Sequence, residues 1–364
     1  MALRLLIVDD SALARRVLRS LIESDAGILV VGEASNGREA LEQVARLRPD
    51  LVTMDVRMPI MDGVETTEKI MAFYPTPILV LTASLSSYDI DITFKMLGAG
   101  ALDVLEKPSL TDQTALRQIR QDLIRRIKLL ARVRVVTHLR GRRRTPGNDA
   151  DSTALVTTKS TAPAVRPPTI IYPPVVVIGA STGGPRVVHQ ILAALPLNFG
   201  AAVLVVQHIA EGFGIGFVEW LNSGSRMPVS LAIEGQAITA GRVFVAPDHA
   251  DLLIDANYTI HLSQRAILLP QPSVDITMQV VADVVGSRAV AVLLTGMGRD
   301  GARGMLRIRR SGGYTIAQDE ATATIFGMPR AAIELQAADE VLPPSRIPLA
   351  LVRLIEARTT GSTS

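Results

Sequence analysis

The chain reads as two doubly wound α/β domains in series, each a parallel sheet covered by helices on both faces, joined by a flexible linker. Three observations carry this reading. Short runs of β-branched and aliphatic residues alternate with amphipathic stretches from residue 1 to about 130. Between about 137 and 170 that alternation gives way to Gly141, Pro146, Gly147, Pro163, Pro167 and Pro168 among Ser, Thr, Ala and Asp, which is linker composition. A second alternating series then starts at Ile170. Strands alternating with helices favour parallel sheets and right-handed crossovers. The expected division is residues 1–130, a linker over 131–170 that is Arg-rich and then Pro/Ser/Thr-rich, and a second domain over 171–358.

In the first domain the strand-like runs are 3–8, 29–34, 51–54, 78–81 and 102–105, and stretches 12–24, 37–47, 63–72 and 88–97 have helical composition. Residues 112–132 place Leu116, Ile119, Leu123 and Ile127 three or four apart, the spacing of an amphipathic helix. In the second domain the strand candidates include 175–178, 202–206, 243–246, 289–294 and 314–317. Runs 252–255 and 258–262, separated by Ala256 and Asn257, read as an antiparallel hairpin. The two halves share an architecture without sharing a sequence period.

Composition excludes several classes. There is no cysteine, so disulfides, thiolate metal sites and cysteine nucleophiles are out, and a reducing cytoplasm is the expected compartment. Aromatic residues make up only 4%, too few for base-stacking platforms. No apolar run approaches the roughly 18 residues of a membrane span. The opening run, Leu3 to Val8, is too short for a signal peptide and meets Asp9 and Asp10 at once. Net charge is only +3, with a local excess at Arg132, Arg134, Arg140, Arg142, Arg143 and Arg144. Without a helix-turn-helix pattern, that cluster reads as a solvated helix end entering the tether, and no nucleic-acid partner is expected.

Asp9 and Asp10 follow the first strand, Asp55 the third, Thr82 the fourth and Lys107 the fifth. In a parallel sheet these ends share the carboxyl edge, where ligands bind. Converging carboxylates call for a cation, and oxygen-only ligation favours Mg²⁺ held by Asp9, Asp10 and Asp55. Lys107 and Thr82 would then neutralise and hydrogen-bond a phosphoryl group carried by Asp55. On these residues, with Met58-Pro59 and Met61-Asp62-Gly63, positions 1 to about 125 resemble the receiver domain of bacterial response regulators. The resemblance implies Asp55 as phosphoacceptor, Thr82 and Lys107 as switch residues, and a flavodoxin-like fold. One position departs: Val104 stands where the family usually has an aromatic switch residue.

The second half carries Val175-Val-Val-Ile-Gly-Ala-Ser-Thr-Gly-Gly184, a buried strand that stops at a serine in a turn of small residues. Serine needs a base and an orienting acid. The run 203–208 ends a strand in His208, and 291–300 ends another in a glycine-rich loop carrying Asp300. With these strands parallel, Ser181, His208 and Asp300 reach one sheet edge, where His208 would take the serine proton and Asp300 would fix its tautomer. Amides of 182–184 or 296–298 are candidates for an oxyanion hole, each donor worth about 3 kcal/mol in the transition state. His138, His189, His249 and His261 are less well placed. Nucleotide binding is disfavoured, because Ser181 stands where a dinucleotide fingerprint needs glycine and the Gly-Lys-Ser/Thr of a P-loop is absent.

This half resembles the catalytic domain of chemotaxis protein-glutamate methylesterases, the CheB family. The matching pieces are residues 179–184, Gln207-His208, Gly212-Phe213, Pro272-Ser-Val-Asp275, 294–301 and Phe326-Gly-Met-Pro329. The resemblance implies a Rossmann-like esterase domain with Ser181 as nucleophile, His208 as base, Asp300 as orienting acid, and Thr182 and Met297 flanking the reacting carbonyl. It further implies no esterase cofactor, hydrolysis of glutamate methyl esters on chemoreceptors with glutamine deamidation, and phosphorylation by a chemotaxis histidine kinase. Departures fall away from the triad: Ala210-Glu211 replace a Pro-Pro pair, Pro270-Gln271 replace a His-Arg pair, and Asp251 stands near the place of a displaced histidine. They leave one alternative, a catalytically divergent protein that docks in a phosphorylation-dependent way within a related chemosensory pathway.

Overall fold

The structure, a computed structural model of the chain, describes residues 2–83, 87–107, 113–133, 135, 172–264 and 271–360. The linker from 136 to 171, with His138 and most of the arginine cluster, lies outside the described residues, as does Pro270.

In the first domain β1 (Leu3–Val8), β2 (Ile28–Ala34), β3 (Leu51–Asp55), β4 (Ile78–Thr82) and β5 (Asp103–Glu106) form one sheet in the order β2-β1-β3-β4-β5. Every pairing in it is parallel. The connections are α1 (Ala12–Ile22), α2 (Gly37–Leu47), α3 (Gly63–Phe73) and α4 (Ser87–Ala99), and α5 (Gln113–Leu130) follows β5. β3 and β4 are buried throughout, as strands covered on both faces must be. The short crossovers start where side chains cap free amides: Ser11 accepts from Ala14 N, Asn36 from Arg38 and Glu39 N, and Asp62 from Glu65 N.

The second domain comprises β6 (Val175–Ala180), α6 (Gly184–Ala194), β7 (Ala202–Gln207), α7 (Gly214–Gly224), β8 (Val229–Leu231), β9 (Val243–Val245), β10 (Asp251–Ile254) and β11 (Ile260–Ser263). It continues with α8 (Val274–Val285), β12 (Ala289–Leu293), α9 (Ala302–Arg310), β13 (Tyr314–Gln318), α10 (Met328–Glu334), β14 (Glu340–Leu342) and α11 (Ile347–Thr360). Seven strands make a sheet in the order β14-β13-β12-β6-β7-β9-β8, parallel throughout. The chain builds outward from β6 to one side and later returns to β12 on the other. The crevice at the carboxyl ends of β6 and β12 is therefore a topological switch point, the usual binding place in such sheets.

Two differences from the sequence reading have local causes. The hairpin strands pair Asp251 with Ser263 and Ile254 with Ile260, so the second strand starts two residues later than expected. The Asp255 carboxylate accepts from Asn257 N and Thr259 N, and Tyr258 takes φ +61°, which closes a wider turn. β8 and β14 are three-residue edge strands, too short to show a period.

The domains pack against each other through α4 and α7. Phe94 of α4 stacks on Phe217 at 5.7 Å and on Trp220 at 5.5 Å between ring centres, with Phe213 edge-on at 6.5 Å. Phe94, Phe213 and Phe217 are fully buried, so this joint is continuous with the core of both domains. A second contact places Ile325 against the first domain's core beside α5.

Candidate functional sites

The first site is the carboxyl edge of the five-stranded sheet. Carboxylate oxygens of Asp9, Asp10 and Asp55 lie within 4.8 Å of one another, with Asp9 and Asp55 buried and Asp10 exposed. Lys107 Nζ bridges two of them, 2.7 Å from Asp9 and 2.8 Å from Asp55. Lys107 N donates to the carbonyl of Thr82 at 2.7 Å, holding the two switch candidates together. Burial pushes the Asp55 carboxyl up to about 6 against the pull of Lys107, and the charge of Asp9 adds to the rise. For Lys107, burial acts downward but Asp55 and Asp9 outweigh it, so its ammonium is held above the usual range. Three converging carboxylates, two of them buried, suit a hard divalent cation such as Mg²⁺. Val104 is a buried residue of β5 facing Val80 of β4 in the sheet register, in a space filled by aliphatic packing.

The second site is built at the switch point. β6 is buried over all six residues and ends one residue before Ser181. Ser181 N donates to Thr295 O at 3.0 Å, and Ser181 O accepts from Gly184 N at 2.7 Å, closing a tight turn into α6. Gly183 caps that helix with φ +77°, and a Cβ there would stand 2.4 Å from Thr324 Oγ1, so only glycine fits. His208 follows β7, and its amide donates to Ala180 O at 3.0 Å, setting it level with the serine turn. Gln207 Nε2 donates to the carbonyls of both Ser181 and His208 at 2.9 Å, tying the two segments together.

Asp300 stands in the loop after β12. Its Oδ2 lies 2.8 Å from His208 Nε2, which leaves Nδ1 as the ring nitrogen available to a hydroxyl, the tautomer being assigned from this bond. The same carboxylate accepts from Ser273 Oγ, Val274 N, Asp275 N and Gly301 N at 2.8 to 3.1 Å. Burial alone would raise the Asp300 carboxyl, but the His208 hydrogen bond and charge and the backbone amides hold it below the ordinary carboxylate range. Ser273 caps α8 and is itself placed by Asp251, whose Oδ1 accepts from Ser273 N at 2.7 Å.

Ser181, Thr182, His208, Met297 and Asp300 line one cavity of about 720 Å³. Among the oxyanion candidates, two amides are committed elsewhere: Gly184 N to Ser181 O and Gly296 N to Ile325 O. The other candidate amides, those of Thr182, Gly183, Met297 and Gly298, form no backbone hydrogen bond among the described residues and are open as donors. Thr182 is buried, and its carbonyl accepts from Thr295 Oγ1 at 3.0 Å. His189 is elsewhere, stacked on Trp220 at 4.4 Å, and His249 and His261 pair with Asp248 and Glu234. Sequence reasoning assigned no role to Gln207 or Ser273, although a serine followed by an apolar run is a legible helix cap.

Two family models match the chain: the response regulator receiver domain over residues 5–120 and the CheB methylesterase over 176–351. The "Protein-glutamate methylesterase/protein-glutamine glutaminase 1" of Syntrophus aciditrophicus is 43% identical over 356 residues, covering 97% of this chain and 98% of its own. The protein-glutamate methylesterase/protein-glutamine glutaminase of Pyrococcus abyssi is 40% identical, covering 97% and 94%. Among solved structures, the Thermotoga maritima CheB methylesterase catalytic domain is 39% identical, covers 50% of this chain and 100% of its own, and has a TM-score of 0.49.

Proposed function

The chain belongs to the CheB family of methylesterases with a receiver domain, and we propose that it hydrolyses glutamate methyl esters on chemoreceptors through Ser181, His208 and Asp300, under control of Asp55 phosphorylation. The observation that supports this most is the 2.8 Å His208–Asp300 pair in the cavity that also holds Ser181, at the switch point of the sheet.

Asp300 holds the His208 proton on Nε2, so Nδ1 accepts the Ser181 proton as Oγ attacks the ester carbon. The carbonyl oxygen becomes an oxyanion, met by the Met297 amide. When the tetrahedral intermediate collapses, the C–O bond to methoxide breaks, imidazolium returns the proton, and methanol leaves an acyl-serine. Water, deprotonated by His208, then adds to the acyl carbon, and glutamate is released with serine restored. A glutamine side chain would follow the same route with ammonia leaving. Asp300 remains ionised throughout, consistent with its depressed pKa. Chemoreceptor helices at the cytoplasmic face are the proposed substrate, and a histidine kinase the phosphodonor.

Asp9, Asp10 and Asp55 would hold Mg²⁺ beside the acceptor, and Lys107 is within reach of the same oxygens. The bound cation would offset charge on an incoming phosphoryl group. In this structure α5 contributes Arg125 and Arg126 to the wall of the esterase cavity, so the receiver stands against the site it is proposed to control. Phosphorylation would shift the population toward a form with that wall withdrawn. The test is methanol release from methylated receptors, with and without a small-molecule phosphodonor and Mg²⁺. Release should rise with the phosphodonor and fall by at least about 10⁴-fold in a folded Ser181→Ala variant. An alanine variant as fast as the parent would refute the assignment.

A further inference from the structure

The scissile ester is neutral, yet the cavity wall around Ser181 is cationic. Arg299 and Arg303 line it from the esterase side, flanking Asp300 and the start of α9, and Arg125 and Arg126 line it from the receiver side. The two pairs differ in how their charge is spent. Arg126 is paired with both Asp103 and Asp122, and Arg125 with Asp122 at 2.9 Å. Arg303 is exposed and forms no ion pair among the described residues. Arg299 is 70% exposed and reaches only Glu334, itself 55% exposed, at 3.4 Å. An exposed pair of that kind is worth about 0–1 kcal/mol and exchanges readily for another anion.

Neither carboxylate of the cavity forms an ion pair with these two cations. Asp300 is saturated by His208 and four other donors, and Asp275 accepts from Gly304 N at 2.7 Å. Leu335, 37% exposed, adds an apolar surface to the same wall. A rim whose two arginines hold no close, buried ion pair, with an apolar neighbour and around a nucleophile that takes an uncharged group, fits a target whose negative charge lies beside the ester.

We propose that Arg299 and Arg303 determine specificity by reading carboxylates that flank the target side chain, so that the enzyme selects esters embedded in acidic helical segments. The inference rests on the esterase reading above. On a helix, side chains three or four positions apart lie about one turn, ~5.4 Å, from each other, close enough for a carboxylate to meet an arginine while the ester meets Ser181. Arg299 in the loop before α9 and Arg303 in its first turn line the same cavity from two points, which lets them engage two acidic residues along such a segment.

The experiment uses the full chain, activated by a small-molecule phosphodonor and Mg²⁺. Two synthetic helical peptides carry one γ-methyl glutamate and differ only in having glutamate or glutamine at the flanking positions. The readout is the ratio of their kcat/KM values from methanol release, which is insensitive to the fraction of folded enzyme. The expected ratio at low salt is about tenfold in favour of the acidic peptide, expressed in KM and falling toward one at high salt. Arg299→Gln with Arg303→Gln should bring the ratio near one, and Arg303→Glu should drive it below one. A parent ratio of one, or a ratio unchanged in the double variant, overturns the proposal. Release from neither peptide would instead count against the esterase reading, and the proposal would go with it.

Discussion

Asp55 and Asp300 occupy equivalent places in two parallel sheets, each at the carboxyl edge and each largely withdrawn from water. Burial is the largest influence on both and pushes both carboxyls upward. They nevertheless end on opposite sides of the ordinary value, and the hydrogen-bond donors decide which. Asp55 has one backbone amide, Val56 N at 2.8 Å, and shares Lys107 with a second buried carboxylate. Asp300 has His208 and four further donors, of which only Gly301 N also serves a second carboxylate, that of Asp275. A carboxylate left short of donors is poised to gain a cation and a phosphoryl group. One that is saturated stays ionised and holds a base in place.

The largest effect should come from removing the charge at the saturated site. Asp300→Asn keeps the shape but presents an amide nitrogen to a ring of donors, and it no longer stabilises imidazolium. The kcat for methanol release should fall by about 10⁴-fold. Phosphorylation at Asp55, read as a mass shift with phosphodonor and Mg²⁺, should be untouched. Loss of both would mean that the two centres are coupled through the fold rather than separately built.

Asp55→Asn tests the other side. The Asp55 pKa is about 6 folded against 3.8 unfolded, so its contribution to stability is complete below 3.8 and is lost as pH rises through 6. The loss integrates to about 3 kcal/mol by pH 7. In urea titrations without divalent cation, the asparagine variant should lack this decline and exceed the parent at neutral pH, the attraction of Lys107 being already contained in the Asp55 pKa. Asp300 has the reverse sign: its depressed pKa contributes stability above the unfolded value, lost only as pH falls below the usual carboxylate range. Equal slopes between pH 4 and 6 in parent and variant would remove the contrast.

Gly296→Ala probes the geometry that separates the two sites. A Cβ there would stand 2.2 Å from Met328 Sδ and 2.7 Å from Ser181 Cβ. We expect destabilisation of about 1–3 kcal/mol. Methanol release should also fall, because the methyl displaces the nucleophile's turn, with Asp55 phosphorylation preserved.

The positions of both carboxylates were legible in the sequence, and the contrast between them was not, for a physical reason. Runs such as 175–178 are apolar because parallel strands are covered on both faces, so their ends are visible as the first small or polar residue. Given parallel strands, Asp9, Asp55, Lys107, Ser181, His208 and Asp300 fall at sheet edges by position alone. The donors that set the two carboxylates apart were not visible. Ser273 reaches Asp300 across 27 positions and Gln207 reaches Ser181 across 26, and no local period encodes either bond. The placing of Arg125 and Arg126 beside Ser181 depends on how α4 seats on α7, a matter of aromatic packing between domains.

Ser273→Ala is the mildest test and the one that isolates a single donor. Ser273 Oγ donates to Asp300 at 3.0 Å and accepts from Ile276 N at 3.4 Å, so it serves the carboxylate and the first turn of α8 at once. Losing the cap costs about 1 kcal/mol of stability. Losing the bond to a charged group is worth roughly 1.5–3 kcal/mol in isolation, but four donors remain to reorganise around Asp300, so methanol release should fall by no more than about tenfold. The informative reading is stability at acid pH, followed by urea titration. With one donor gone the Asp300 carboxyl rises toward its ordinary value, so the stability it contributes should be lost at higher pH, while Ser273→Thr, which keeps the hydroxyl, should leave that loss in place. If alanine lowers activity without moving that loss, Ser273 acts through the helix alone, and the number of donors is not what holds Asp300 ionised.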